Sequence, residues 1–208
     1  MTRRGFVIAL VALAAAPSHR PVAAQPAGAT VRVLVETSLG DIVLELDPAH
    51  APTTAANFLR YVDAGHYDGG TFHRTVTMDN QPESPVKIEV IQAGVHPDKA
   101  KAGFPAIPLE RTNATGLRHL DGAVSMARNG PDSATSGWFI CINDQPTLDF
   151  GGARNPDGQG FAAFGRVVSG MDVVRTIQRA PSSSNRTSNA EAQTLTPPIA
   201  IHKVSRVR

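Results

Sequence analysis

Apolar and polar residues alternate across residues 31–37 and again across 41–46. Val31, Val33 and Val35 share one face of the first segment, and Ile42, Leu44 and Leu46 share one face of the second. Successive strand side chains point to opposite faces, so the pattern predicts a hairpin with one buried side, turned at Ser38-Leu39-Gly40. The period then lengthens. Pro52 suits a first helical turn, where its missing N–H has no partner to lose, and the predicted helix runs to about Asp63. Ala55, Phe58, Leu59 and Val62 form its apolar stripe, and Gly65 ends it. Residues 121–143 read as two strands joined by a polar loop at 129–136. Ala123, Ser125 and Ala127 alternate with Val124 and Met126, and Phe139 and Cys141 alternate with Trp138, Ile140 and Ile142. One face of the second strand suits a core. The other sets Phe139 beside small residues, which makes an apolar recess, and Trp138 falls opposite it.

The rest of the chain is shorter elements and loops. Residues 79–85 (DNQPESP) are polar with two prolines and read as a loop, after which 87–94 (KIEVIQAG) resume as a strand. Residues 99–109 read as loop, with a short turn near 117–120. Residues 161–168 read as a strand and 171–178 as a short helix. Residues 180–198, rich in Ser, Asn and Thr, are expected to be mobile, and 199–204 form a final strand. Many short strands with two helices favour a closed antiparallel barrel.

Composition narrows the chemistry. A chain of 208 residues and 22.0 kDa fits one domain with a sizeable core. The formal charge is +2, and no basic stripe points to nucleic acid. Cys141, the single cysteine, excludes an internal disulfide and sits within an apolar strand as a packing residue. The seven histidines lack metal-ligand spacing, so no metal is expected. The glycine-rich stretch 151–160 lacks the Gly-Lys-Ser/Thr of a phosphate loop and reads as a flexible connection. His73, with Ser125 or Ser133, invites a Ser–His–Asp reading, but no Gly-x-Ser-x-Gly elbow supports hydrolysis. No cofactor is expected.

The N-terminus reads as an export signal over residues 1–24, followed by a linker at 25–30 and a single domain at 31–208. Arg3 and Arg4 precede an apolar run from Phe6 to Ala16, too short to span a bilayer, and Val22-Ala23-Ala24 offers small residues for cleavage. Thr2-Arg3-Arg4-Gly5-Phe6-Val7 also resembles a twin-arginine signal; an ordinary secretory signal carrying two arginines is the alternative. Either route predicts a periplasmic protein. No cysteine near the cleavage site suggests a lipid anchor, so no membrane attachment is expected. Without residues 1–24 the chain carries 17 basic and 18 acidic residues, a formal charge of −1.

Three blocks carry a family resemblance. MARNGPDSATSGWFI at 126–140 resembles the MAR…DSATSQFFI signature of cyclophilin-type peptidyl-prolyl isomerases. YDGGTFHR at 67–74 resembles the family's Y-D/N-G-x-x-F-H-R, and FAAFGRVVSGMDVV at 161–174 its F-A-V-F-G-x-V-V-x-G-M-D-V-V. The match covers roughly residues 31–204 in the family's order. It implies a mainly β, closed antiparallel eight-stranded barrel capped by two helices. It further implies catalysis by Arg74 and substrate binding by Val90, Gln92, Ala127, Arg128, Phe139 and Leu148. Arg74 would be the fixed donor, Gln92 would position Arg74 or the substrate backbone, and Phe139 and Leu148 would wall a proline pocket. Ala127 and Arg128 would offer backbone groups. The implied partners are proline-containing peptides and unfolded chains, with cyclosporin-type ligands a further candidate and the protein acting as a monomer.

That activity needs neither nucleophile nor metal. Rotation about an X–Pro bond crosses a barrier of about 18–20 kcal/mol, because the nitrogen lone pair is delocalised into the carbonyl. A fixed donor that stabilises the twisted nitrogen, above a recess gripping the ring, suffices; arginine supplies a permanently charged, rigid fork. This chain departs from the family pattern at several places, among them Val90 where the pattern has Met. Gly137 replaces a glutamine, Thr147 stands where some members carry an aromatic residue, Glu89 falls where the pattern has Phe, and a segment is inserted after Arg74. Gln81, in that insertion, is a candidate to supply the missing amide. These departures keep open an alternative, a proline-peptide-binding or holdase module with weak or no isomerase activity.

Overall fold

The computed structural model describes residues 30–185 and 187–207. The expected export signal and most of the expected linker lie outside the described residues. Eight strands appear among the described residues: β1 (Val31–Thr37), β2 (Gly40–Leu46), β3 (Thr71–Val76), β4 (Val90–Gly94), β5 (Ala123–Met126), β6 (Trp138–Cys141), β7 (Ala162–Ser169) and β8 (Thr194–Arg206). They close into a barrel in the order β1-β2-β7-β5-β6-β4-β3-β8, every neighbouring pair antiparallel. Closure leaves no strand edge free to pair elsewhere. Two longer helices accompany it, α1 (Pro52–Asp63) and α3 (Met171–Gln178), with single turns at α2 (Thr112–Thr115) and α4 (Asn189–Ala192).

The hairpin forms as the alternation predicts. Val31 pairs with Leu46, Val33 with Leu44 and Val35 with Ile42, so the apolar sets of both strands point to one side, and all six are buried. Helix α1 lays Phe58 against Tyr67, Trp138 and Phe164, with ring centroids 5.2–5.5 Å apart. Its N-terminus is capped from 56 residues away: the Glu110 carboxylate accepts from the backbone N–H of Thr53 and Thr54 and from the Thr54 hydroxyl. A carboxylate there satisfies orphan donors and complements the helix dipole.

The apolar residues divide into two groups, and the division locates the site. Trp138, Ile140 and Ile142 join the main core, together with Ile91, Ala93 and Phe72. Phe139 and Cys141 face the other way, into a smaller cluster with Val76, Ile88, Val90 and Leu148. Both faces of β6 are therefore covered, one by the barrel interior and one by loops on its outer wall. Cys141 is buried there, and burial pushes its thiol well above the usual range, as expected of a packing residue.

Several elements differ from the sequence reading. The strand expected at 87–94 begins only at Val90. The Gln81 side chain takes the place of a neighbouring strand for Ile88, accepting from its N–H at 3.2 Å and donating to its carbonyl at 2.8 Å. Residues 180–198, expected to be mobile, instead contain α4 and the start of β8, because Gln193 and Leu195 are buried. A 3₁₀ turn at Pro97–Ala102 overlaps the start of the loop expected at 99–109, and the expected turn near 117–120 is preceded by α2.

Candidate active site

A bulge aims the arginine. In strict alternation Phe72 and Arg74 would share a face. Phe72 pairs with Ala93, but Arg74 pairs with Gln92, so His73 is an extra residue on β3 against a single step on β4. The register against β8 breaks at the same place, Phe72 pairing with Ile199 and Arg74 with Thr194, so that there the surplus residues lie on β8. One inserted residue reverses the facing of the strand beyond it. Phe72 consequently packs into the core while Arg74 emerges on the outer wall beside Gln92.

The guanidinium is then fixed from two sides. Arg74 Nη1 donates to Gln92 Oε1 at 2.7 Å, and Nε and Nη2 both donate to Gln193 Oε1, at 2.8 and 2.6 Å. Gln193 is itself fully buried and donates through Nε2 to the Asn80 carbonyl. Burial, followed by the charge of nearby Arg154, brings Arg74 down to about 10, which leaves it cationic at neutral pH.

Arg74 lines a recess of about 370 Å³ in which all seven residues singled out from the sequence meet: Arg74, Val90, Gln92, Ala127, Arg128, Phe139 and Leu148. Its apolar wall is Val90, Phe139 and Leu148, extended by Ile88 and Phe161. The Phe139 and Phe161 rings meet edge to face, 5.4 Å apart. Ala127 and Arg128 are present, but the Ala127 N–H is already taken by the Gly137 carbonyl at 2.9 Å. The Arg128 side chain turns away to form a bidentate pair with Asp157 and a bond to the Gly160 carbonyl. That pairing, first of all the Arg128 hydrogen bonds, holds Asp157 at about 2. Gly160 sits at φ +66°, and a Cβ there would come within 2.7 Å of the Asp149 backbone, so the loop closes tightly only with glycine.

The structure accounts for most of the departures from the family pattern. Gln81 does not reach Arg74; its amide is consumed by Thr77, Ile88 and Arg154. The amide on Arg74 comes from Gln193, which sequence reasoning missed. Glu89 does not line the recess, but accepts from Asn143 and Gln178. Ile88, just beyond the inserted segment, borders the recess, and within that segment Gln81 together with the Val86 carbonyl holds Arg154 at its rim. Asn80 and Gln81 are both about 2 % exposed, so the insertion is pinned rather than free.

A Ser–His–Asp constellation does exist, around a different histidine. His119 Nδ1 lies 2.7 Å from Asp149 Oδ1, and Nε2 lies 3.0 Å from Ser125 Oγ. Ser125 and His119 are at most 1 % exposed, so no substrate reaches the hydroxyl. The His119 ring stacks on Phe139, and the network supports the pocket floor from behind. Among the described residues no cluster of His, Cys, Asp or Glu could hold a metal ion.

The outer barrel wall thus carries a rigidly held arginine beside a recess with an apolar wall. Comparison with known proteins gives the family. The model described as "Cyclophilin type peptidyl-prolyl cis-trans isomerase/CLD" matches residues 32–205. The chain is 40 % identical over 155 residues to a peptidyl-prolyl cis-trans isomerase of Streptomyces antibioticus, covering 74 % of this chain and 87 % of that one. It is 40 % identical over 152 residues to peptidyl-prolyl cis-trans isomerase A of Dickeya dadantii, covering 72 % of each. A cyclophilin-type isomerase of Cryptosporidium parvum, solved by crystallography, superposes with a TM-score of 0.66 at 21 % identity. That match covers 86 % of this chain and 99 % of that one, and shows the shared fold. The same protein has been crystallised in the presence of the dipeptide Ala-Pro. The chain belongs to the cyclophilin-type peptidyl-prolyl cis-trans isomerase family, and is an enzyme of that class; nothing in these relatives supports the binding-only alternative.

Proposed function

We propose that Arg74 is the catalytic group and that Val90, Phe139 and Leu148, with Ile88 and Phe161, seat the proline ring. The observation that carries this reading is the clamp on Arg74: both glutamine oxygens fix the fork, while Nη1 and Nη2 each keep a hydrogen free for substrate. As the X–Pro bond twists, the nitrogen loses conjugation and its lone pair becomes localised on it. A guanidinium N–H directed at that nitrogen stabilises the twisted state more than either planar isomer, which is what acceleration requires. Because the fork is held before substrate arrives, little reorganisation is spent at the barrier top. Each ~1.36 kcal/mol gained there gives about tenfold in rate. Gln92 and Gln193 hold the fork, while Ala127 and Arg128 border the peptide path.

The substrates we infer are proline-containing segments of unfolded or newly exported chains, handled by a monomer in the periplasm, with cyclosporin-type ligands as candidate occupants of the same recess. Arg3, Arg4, the apolar run and Val22-Ala23-Ala24 support export. Crystallisation of the related protein in the presence of Ala-Pro supports a proline ligand. The test is Arg74→Ala in an exchange assay on a short X–Pro peptide: kcat/KM should fall at least about tenfold with unchanged circular dichroism. An unchanged rate in a folded variant removes Arg74 from the mechanism.

A further inference from the structure

Three arginines border the recess, and no Asp or Glu does. Only Arg128 is neutralised, by its two-pronged pair with Asp157. Arg74 rests on the amide oxygens of Gln92 and Gln193. Arg154 Nη1 rests on Gln81 Oε1 and the Val86 carbonyl. These partners are dipoles. They satisfy N–H groups and leave both charges in place, and neither arginine has an ion pair among the described residues. The repulsion is felt, since the Arg154 charge contributes to lowering Arg74. Arg154 also keeps Nε and Nη2 without an acceptor among the described residues, on a side chain that borders the cavity.

Two uncompensated cations sharing one half-open recess favour an anion from the ligand. A proline ring brings none, so the anion must come from a neighbouring residue of the peptide. Arg74 is committed to the reacting bond in the proposed isomerase mechanism, on which this inference rests. Arg154, held at the rim by the insertion and by its own glycine-rich loop, is left for the flanking side chain. We propose that Arg154 is a specificity-determining residue that selects prolines flanked by an acidic residue, by pairing with its carboxylate.

The test uses the mature protein and peptides blocked at both ends, acetyl-Ala-X-Pro-Ala-amide and acetyl-Ala-Pro-X-Ala-amide, with X as Glu, Gln or Lys, monitored by two-dimensional exchange NMR. A Glu peptide should exceed its Gln counterpart in kcat/KM by about three- to tenfold at low ionic strength in at least one series, with Lys the poorest. That preference should shrink with added salt. Arg154→Gln should bring the Glu-to-Gln ratio close to one. If Arg154 only fastens the two loops, the substitution slows all peptides together and leaves the ratio unchanged, which overturns the proposal. So does a wild-type ratio near one in both series while the Gln peptides are turned over normally. Absence of exchange with every peptide would instead overturn the isomerase reading, and this proposal with it.

Discussion

Gln193 Oε1 accepts from both Nε and Nη2 of Arg74, across 119 residues of chain. The amide is oriented by its own bond to the Asn80 carbonyl, so the insertion after Arg74 and the start of β8 together set the angle of the guanidinium. Gln193 touches no reacting atom in this arrangement; it is a positioning residue. Gln193→Leu should therefore reduce kcat more than it raises KM, and hydrogen bonds to a charged group, at about 1.5–3 kcal/mol, set a loss of roughly ten- to hundredfold. Gln193→Asn, which keeps the amide at shorter reach, should recover part of that loss. A Leu variant that folds and turns over normally would show that Gln92 alone suffices.

What the sequence made legible was local. The 31–46 hairpin, α1 and α3 arise from alternation, from the apolar stripe and from the proline and glycine at the helix ends. Arg74 and Phe139 were found because they lie in contiguous blocks. The bulge at His73 was not legible: Phe72 and Arg74 are two apart, and nothing in Thr71-Phe72-His73-Arg74 announces that the register slips. Gln193 was not legible either. It sits in a Ser-, Asn- and Thr-rich stretch with little apolar periodicity, and its burial comes from side-chain bonds to Arg74 and Asn80. The strand at 87–89 failed for a related reason, since a side-chain amide replaces the ladder.

The buried network behind Phe139 predicts an acid-sensitive stability. Burial raises the Asp149 pKa, but the hydrogen bonds and charge of His119, with Arg118 behind them, outweigh it and hold Asp149 below its ordinary 3.8. A depressed folded pKa means that the folded state binds the proton more weakly than the unfolded chain. The stabilisation is therefore present above pH 3.8 and is lost as the pH falls through the lower folded value. Asp149→Asn should lower the urea midpoint at pH 7 by an amount equivalent to about 1.5–3 kcal/mol, and the gap to wild type should narrow near pH 3. A gap that stays constant over that range would mean that charge on Asp149 is irrelevant to the fold.

Export makes its own demand. With small residues at 22–24 and no acidic residue before them, cleavage should leave a mature chain beginning near Gln25. N-terminal sequencing of protein from the periplasmic fraction of an expressing cell checks this. Full-length protein confined to the cytoplasm would overturn both the signal and the proposed class of client.

The last prediction concerns Gly137, where the family pattern has glutamine. A Cβ built there would lie 3.5 Å from Ala127 Cβ and 4.0 Å from Gln92 Nε2, ordinary contacts, so the barrel accepts a side chain pointing towards the recess. Gly137 also carries no positive φ to forbid one. All three Arg74 nitrogens already have an acceptor from Gln92 or Gln193. A further amide therefore has little left to fix, and Gly137→Gln in the wild-type background should change kcat/KM by less than about threefold. The same substitution in a Gln193→Leu background should restore activity, because Arg74 then has donors to spare and the new amide starts beside Gln92. Exchange rates for the two single variants and the double variant form a cycle that separates these cases. Acceleration by Gly137→Gln alone, of about tenfold or more, would mean that Gln193 leaves Arg74 under-held; no rescue in the double variant would place the 137 side chain out of reach of Arg74.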